Sequence, residues 1–183
     1  MAGTALARAA AVAGAAIVLL LAVIFYVAGV VSSLLGLPPS PGLPSVVRAL
    51  GAVLAVAGLA VAGWVFRYRS PADMIVSTYV TFMKLFRRTP LAERSDRAEP
   101  LVVAGPQRYV RNPLYFAVIV VALGWGLAGA STSVLIGAAL LFAWFRFFLI
   151  PFEERELRVL FGEQYGEYAN RVPALFPFTK RKR

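Results

Sequence analysis

Charged and polar residues stand in two places where an otherwise apolar pattern calls for none. One is the run Arg111-Asn112-Pro113-Leu114-Tyr115, which opens an apolar stretch, and the other is the pair Glu153-Glu154, just after Pro151. On a helix, Glu154, Leu157, Phe161, Tyr165 and Tyr168 follow steps of three or four, and so do Glu153, Leu157, Leu160 and Tyr168, so both carboxylates top one apolar stripe. Glu156, Glu163 and Glu167 fall on the solvated face, and Arg171 lies at the foot of the stripe. A carboxylate on a membrane-facing stripe is costly unless something pairs with it, so a partner or a ligand is expected there. Plainer roles stay open beside this one. Acids in a first turn are favoured by the helix dipole, Asn112 suits an N-cap, Pro113 suits the first helical position, and Tyr115 suits the interfacial aromatic belt.

The chain has no cysteine and no histidine. Disulfides, thiolate nucleophiles, the commonest metal ligands and the usual neutral-pH base are therefore excluded, and no metal site is expected. Chemistry must run on Arg, Lys, Asp, Glu, Tyr, Ser, Thr or a cofactor.

The elements that position these residues follow from hydropathy. At 183 residues with 60% apolar content, the chain is expected to form one domain, 1–183, with more apolar surface than so small a globule can bury. Charge-free runs at about 9–31, 46–66, 114–129 and 131–150 predict four membrane spans, the first read as a spanning helix rather than a cleaved signal. Pro38, Pro39, Pro41 and Pro44 make the first connection a loop, and an uncharged Gly-Ala-Ser turn joins the last two spans as a hairpin. Residues 72–88 predict an interfacial helix, 89–100 a solvated connector, and 151–171 an amphipathic helix outside the bilayer.

Four spans put both termini on one side, and on that topology every Lys and Arg except Arg48, and every acid, falls on the same face. Positive loops stay cytoplasmic, so a multi-pass protein with both termini in the cytoplasm is expected. The net charge of +10 then reads as topology and attraction to anionic lipid, and nucleic acid is not expected as a partner.

Together the two segments resemble the isoprenylcysteine carboxyl methyltransferase and phospholipid methyltransferase family. The resemblance rests on Leu101-Val102, Gly105, Arg111-Asn112-Pro113-Leu114-Tyr115, Glu153-Glu154, and Phe161-Gly162 through Arg171-Val172-Pro173, matching in order and spacing over about residues 99–178. It implies an all-α membrane enzyme whose cytosolic loop and C-terminal helix form a pocket for S-adenosylmethionine. Residues Pro100, Leu101, Val102, Gln107, Arg111, Asn112, Pro113, Leu114, Tyr115, Glu153 and Glu154 are the cofactor contacts so implied, and Arg146 and Arg171 are the catalytic candidates. Carboxylates can hold the cofactor's amino group or ribose hydroxyls, and tyrosine faces suit a sulfonium. Methyl transfer needs alignment more than acid-base help. The acceptor would be a membrane lipid or a lipidated small molecule reaching the site from the bilayer.

The chain departs from the family pattern at three points. Asn112 replaces a histidine, Gln107 stands where tyrosine is usual, and Leu149, Ile150 and Pro151 occupy the place of a substrate-contacting arginine, with Arg146 the nearby cation. The departures weigh against a prenylcysteine carboxylate and leave an amine, a thiol or another acceptor open. The alternatives are a non-catalytic scaffold of the same fold and a sterol-reductase-like oxidoreductase using a nicotinamide.

Overall fold

The computed structural model of the protein describes residues 3–87 and 101–177. The regular structure among them is helical. The charge-free runs form α1 (Gly3–Leu34) and α2 (Ser45–Phe66), and the amphipathic stretch forms α3 (Pro71–Arg87). A single 3₁₀ turn, Gly105–Arg108, precedes α4 (Pro113–Ala128), which is followed by α5 (Thr132–Trp144) and α6 (Ile150–Arg171). The expected connector 89–100 and the basic tail lie outside the described residues.

Among the described residues, three helices are long and apolar enough to cross a bilayer: Ala7–Leu34, Ser45–Phe66, and the continuous helix Thr132–Arg171. The run expected as the third span, Pro113–Ala128, is apolar but has 16 residues, about 24 Å against a hydrocarbon core of roughly 30 Å. The expected break between a membrane hairpin and a separate cytosolic helix is also absent. Instead, α5 continues into α6 through a π-type turn at Phe145–Leu149, and the Ile150 N–H donates to the Phe145 carbonyl five residues back. Pro151 explains the position of that turn: it has no N–H for the carbonyl four residues earlier, and the ladder widens just before it. Further on, the helix kinks at Gly162 (φ 48°) and still runs to Arg171.

Packing fixes which faces meet. The principal contacts pair α2 with α4, α5 with α1 and α4, and α1 with α3. Buried Ile24, Ile119, Leu141, Phe145, Leu149 and Ile150 form a core shared by α1, α4 and the last helix. The α2–α4 seam is built from small residues. A Cβ added at Gly124 would lie 2.4 Å from the Ala55 backbone nitrogen and 2.6 Å from the Gly51 carbonyl, so the two backbones touch. At one end of the bundle, the Thr132 N–H donates to the Pro39 carbonyl at 3.0 Å and Arg48 Nε donates to the Ala128 carbonyl at 3.1 Å. These bonds tie the proline loop to the α4–α5 turn and satisfy the end of α4.

Gly124→Val should therefore wedge α2 from α4 and destabilise the protein by about 1–3 kcal/mol, the usual cost of overpacking. Gly63→Ala, with nothing within 4 Å of the added carbon, should unfold like the parent in detergent melts.

Candidate active site

The chain between the 3₁₀ turn and α4 is held by its own C-terminal segment. Arg111 N–H donates to the Pro173 carbonyl at 2.9 Å, and Asn112 N–H donates to the Ala174 carbonyl at 3.1 Å. Asn112 occupies the N-cap position of α4, but its side chain does not cap. Its Nδ2 donates to the Ala174 carbonyl at 2.9 Å instead, because the returning chain supplies an acceptor within reach. The amide here ties two segments together, where a helix-local reading gave it a cap.

Arg111 is the hub of this corner. Nε donates to Glu154 Oε1 at 3.0 Å, Nη2 pairs with the same oxygen, and Nη1 donates to the carbonyls of Ala169 (2.8 Å) and Val172. One guanidinium thus binds the head and the foot of α6, the planar fork matching several acceptors at once. Beside it the Tyr115 hydroxyl donates to Glu153 Oε1 at 2.8 Å, and its ring stacks on Phe145 at 4.7 Å between centroids. Tyr115 is partly buried at the start of α4, with a closer set of partners than an aromatic belt position would give it. The π-type turn matters to this arrangement, because one residue added to a turn rotates everything after it by about 100°. Phe145 and Glu153 lie on either side of that shift and meet the same tyrosine.

Gly105 opens the facing wall. Its φ is +59°, and a Cβ there would meet the Tyr68 ring at 2.5 Å, so both the backbone and the packing require glycine. The turn it begins buries Gln107, whose backbone carbonyl accepts the Tyr168 hydroxyl at 2.7 Å. The Gln107 side-chain oxygen, Oε1, is buried and has no hydrogen-bond partner among the described residues. A buried acceptor left open in this way is uncommon and calls for a ligand or water.

These elements enclose a cleft of about 1000 Å³ when the open space at its mouth is included. Of the residues singled out from the sequence, Leu101, Val102, Gln107, Arg111, Asn112, Pro113, Leu114, Tyr115 and Glu153 line it. Glu154 lies beside the cleft, held by Arg111, and is not among its lining residues. Pro100 lies outside the described residues. Arg146 and Arg171 are elsewhere: Arg146 is exposed with its guanidinium 5.7 Å from the Phe147 ring centre, and Arg171 is exposed with Glu167 at 4.0 Å.

Two features escaped the reading of the sequence. Glu156, expected on the solvated face, is 2% exposed and ion-paired with Lys84 of α3. Lys84 reaches that side of α6 from α3 and supplies the cation that makes a buried carboxylate tolerable, which no periodicity within α6 could reveal. Helix α3 and the turn before it also line the cleft, through Arg69, Met74, Ser77 and Thr78. The three-residue and four-residue steps from Met74 to Ser77 and Thr78 were the available signal.

A family model described as phospholipid methyltransferase matches residues 50–164, well over half of the sequence. The chain belongs to this family of membrane methyltransferases. It is 35% identical to protein-S-isoprenylcysteine O-methyltransferase B of Arabidopsis thaliana over 47% of this chain and 44% of the relative. It is 32% identical to methanethiol S-methyltransferase of Crocosphaera subtropica over 66% of this chain and 45% of the relative. It is also 40% identical to the cobalt-zinc-cadmium resistance protein CzcN of Cupriavidus metallidurans, over 42% of this chain and 35% of the relative. The chain thus spans less than half the length of each of these relatives. No solved structure matches it.

Replacing Arg111 by Met should destabilise the protein by about 3–5 kcal/mol, as expected when one partner of a largely buried ion pair is removed. Two carbonyls lose their donor as well. Chemical denaturation in detergent checks this, and Arg171→Met, at an exposed pair, should shift stability by less than about 1 kcal/mol.

Proposed function

We propose that the cleft binds S-adenosylmethionine and that the protein transfers its methyl group to a membrane-associated acceptor. The observation that carries this reading is the contact between Tyr115 and Glu153, which brings the acid pair to the Arg-Asn-Pro-Leu-Tyr corner at the edge of the cleft. Family membership favours methyl transfer over a scaffold or a reductase.

The residues present fit such a donor. Glu153 offers a carboxylate to an ammonium or to hydroxyls, and Gln107 offers a buried acceptor that nothing in the described chain uses. The rings of Tyr115, Phe161 and Tyr165 line the same space, where an aromatic face attracts a cation. When bound, the cofactor supplies an electrophilic methyl group on a sulfonium. The chain's own part is to hold this donor, exclude water and align an acceptor, which is within reach of a site that lacks histidine and cysteine. Glu154 has a positioning role: through Arg111 it fixes the height at which Glu153 meets Tyr115.

In this reading, the single domain crosses the membrane four times, with the short helix α4 completing the bundle by tilt or local thinning. The proline loop and the α4–α5 turn then share the outer face with Arg48, and the cleft and both termini lie on the cytoplasmic side. The acceptor would be a lipid or a lipidated small molecule reaching the cleft between helices. One relative is named for an isoprenylcysteine, which is such an acceptor, and another for methanethiol, a small thiol without a lipid chain.

S-Adenosylhomocysteine at 100 times its dissociation constant should stabilise the purified protein by about 2.7 kcal/mol. Glu153→Ala and Tyr115→Ala should remove that stabilisation while the variants still insert and fold. Binding of the parent's strength in both would overturn the assignment of the cleft.

A further inference from the structure

Arg146 has no part in the cleft, yet its position calls for a partner. It is exposed, whereas Phe145 before it is buried in the core and stacks on Tyr115. Its depth follows from the helix that carries it. Thr132 begins that helix beside the proline loop, where its N–H is bonded, and Glu153 lines the cleft together with Val65 near the far end of α2. At about 1.5 Å per residue, Glu153 stands about 32 Å along the helix from Thr132 and Arg146 about 21 Å, against a hydrocarbon core of roughly 30 Å. Glu153 thus reaches the edge of the bilayer, and Arg146 faces lipid while still inside it. The guanidinium has the Phe147 ring as a neighbour at 5.7 Å and makes no hydrogen bond or ion pair among the described residues. The two acids that follow, Glu153 and Glu154, are engaged by Tyr115 and Arg111. Around it, Phe147 and Phe148 are 63% and 62% exposed. Exposed Ala139 and half-buried Ala143 lie one and two turns before it on the same face, a shallow strip between bulkier neighbours.

We propose that Arg146, flanked by Phe147 and Phe148, binds the phosphate of an anionic phospholipid whose acyl chain lies along Ala139 and Ala143. The inference rests on the last helix crossing the bilayer and is independent of methyl transfer. A lipid-facing cation at this depth is costly unless an anion meets it. Snorkelling relieves the cost only in part, because the Cα–Cβ bond of a helical residue tilts toward the helix N-terminus, here away from the nearer edge of the bilayer. A headgroup drawn down to the guanidinium completes the pair, and the planar fork matches two phosphate oxygens at once. The aromatic rings offer apolar contact to the glycerol and the upper acyl chain. A zwitterionic lipid would bring an ammonium as well, which finds no unengaged acid beside Arg146, so a lipid of net negative charge is preferred. The bound lipid is a resident of the protein's surface and not the methyl acceptor, since Arg146 does not line the cleft.

The test uses the full-length protein in dodecyl maltoside micelles, titrated with dioleoylphosphatidylglycerol, dioleoylphosphatidylcholine or water-soluble glycerophosphate, with bound molecules counted by native mass spectrometry. The parent should bind phosphatidylglycerol about fivefold more tightly than phosphatidylcholine, the preference one basic side chain confers at a membrane, and should not bind glycerophosphate at the same concentration. Arg146→Gln should lose one bound phosphatidylglycerol and that share of the preference. Arg146→Lys, which keeps the charge without the fork, should retain part of it and serves if the glutamine variant fails to fold. Arg171→Gln, which removes the same charge from an exposed position on α6, should bind lipid like the parent. Equal binding of the two lipids by the parent, an unchanged lipid count in Arg146→Gln, or an equal loss in Arg171→Gln would each overturn the site, the last by reducing it to net charge. Glycerophosphate binding as tightly as the lipid would overturn the lipid as its occupant, and so would a mass showing a second copy of the chain that Arg146→Gln releases. A protein that stays in solution without detergent would instead remove the membrane-spanning reading beneath it.

Discussion

The ion pair between Arg111 and Glu154 is the contact on which the rest of the cleft depends. Helix α6 emerges from the bundle as a continuation of α5. The guanidinium takes hold of it at both ends, at Glu154 and at the carbonyls of Ala169 and Val172, while backbone bonds from Arg111 and Asn112 fasten the returning chain at Pro173 and Ala174. With the Arg111 and Glu154 side chains only 7% and 18% exposed, the pair is poorly screened and geometrically specific. The neighbouring acid, Glu153, is thereby left facing Tyr115 and the cleft. Two adjacent carboxylates have different surroundings, Glu154 held by Arg111 and Glu153 lining the cleft.

Much of this was legible in the sequence, for identifiable reasons. The spans α1 and α2 announced themselves because lipid tolerates no charge over a full bilayer thickness, and the proline cluster could only be a loop. The acid pair stood out because a carboxylate on an apolar stripe demands a partner, and Tyr115 and Arg111 are those partners. What could not be read depended on other helices. Glu156 looked solvated because only α6 was in view, and the residue that buries it, Lys84, lies 72 positions away on α3. Asn112 looked like a cap because capping is local, while its actual acceptor, Ala174, is 62 positions distant. The continuity of α5 with α6 was hidden by Pro151, which ordinarily ends a helix and here is absorbed by a π-type turn.

The arrangement is also compatible with the proposed methyl transfer in a chain without histidine or cysteine. In the proposed reaction, displacement at a sulfonium methyl group asks for alignment more than for acid-base help, and the cleft is lined by the Glu153 carboxylate, the Gln107 amide and aromatic rings. The buried Lys84–Glu156 pair gives α3 a fixed seat against α6. Two ion pairs, one to each side of α6, thus hold the walls of one cleft: Arg111 draws the helix to the α4 corner, and Lys84 draws α3 to the helix.

The most direct measurement is an experimental structure of the protein with S-adenosylhomocysteine bound. The account predicts the ligand in the cleft, with polar atoms within hydrogen-bond distance of the Glu153 carboxylate and the Gln107 side-chain oxygen, and with Arg111 still on Glu154. A ligand bound elsewhere, or a Glu153 carboxylate turned to open water and away from Tyr115, would contradict it.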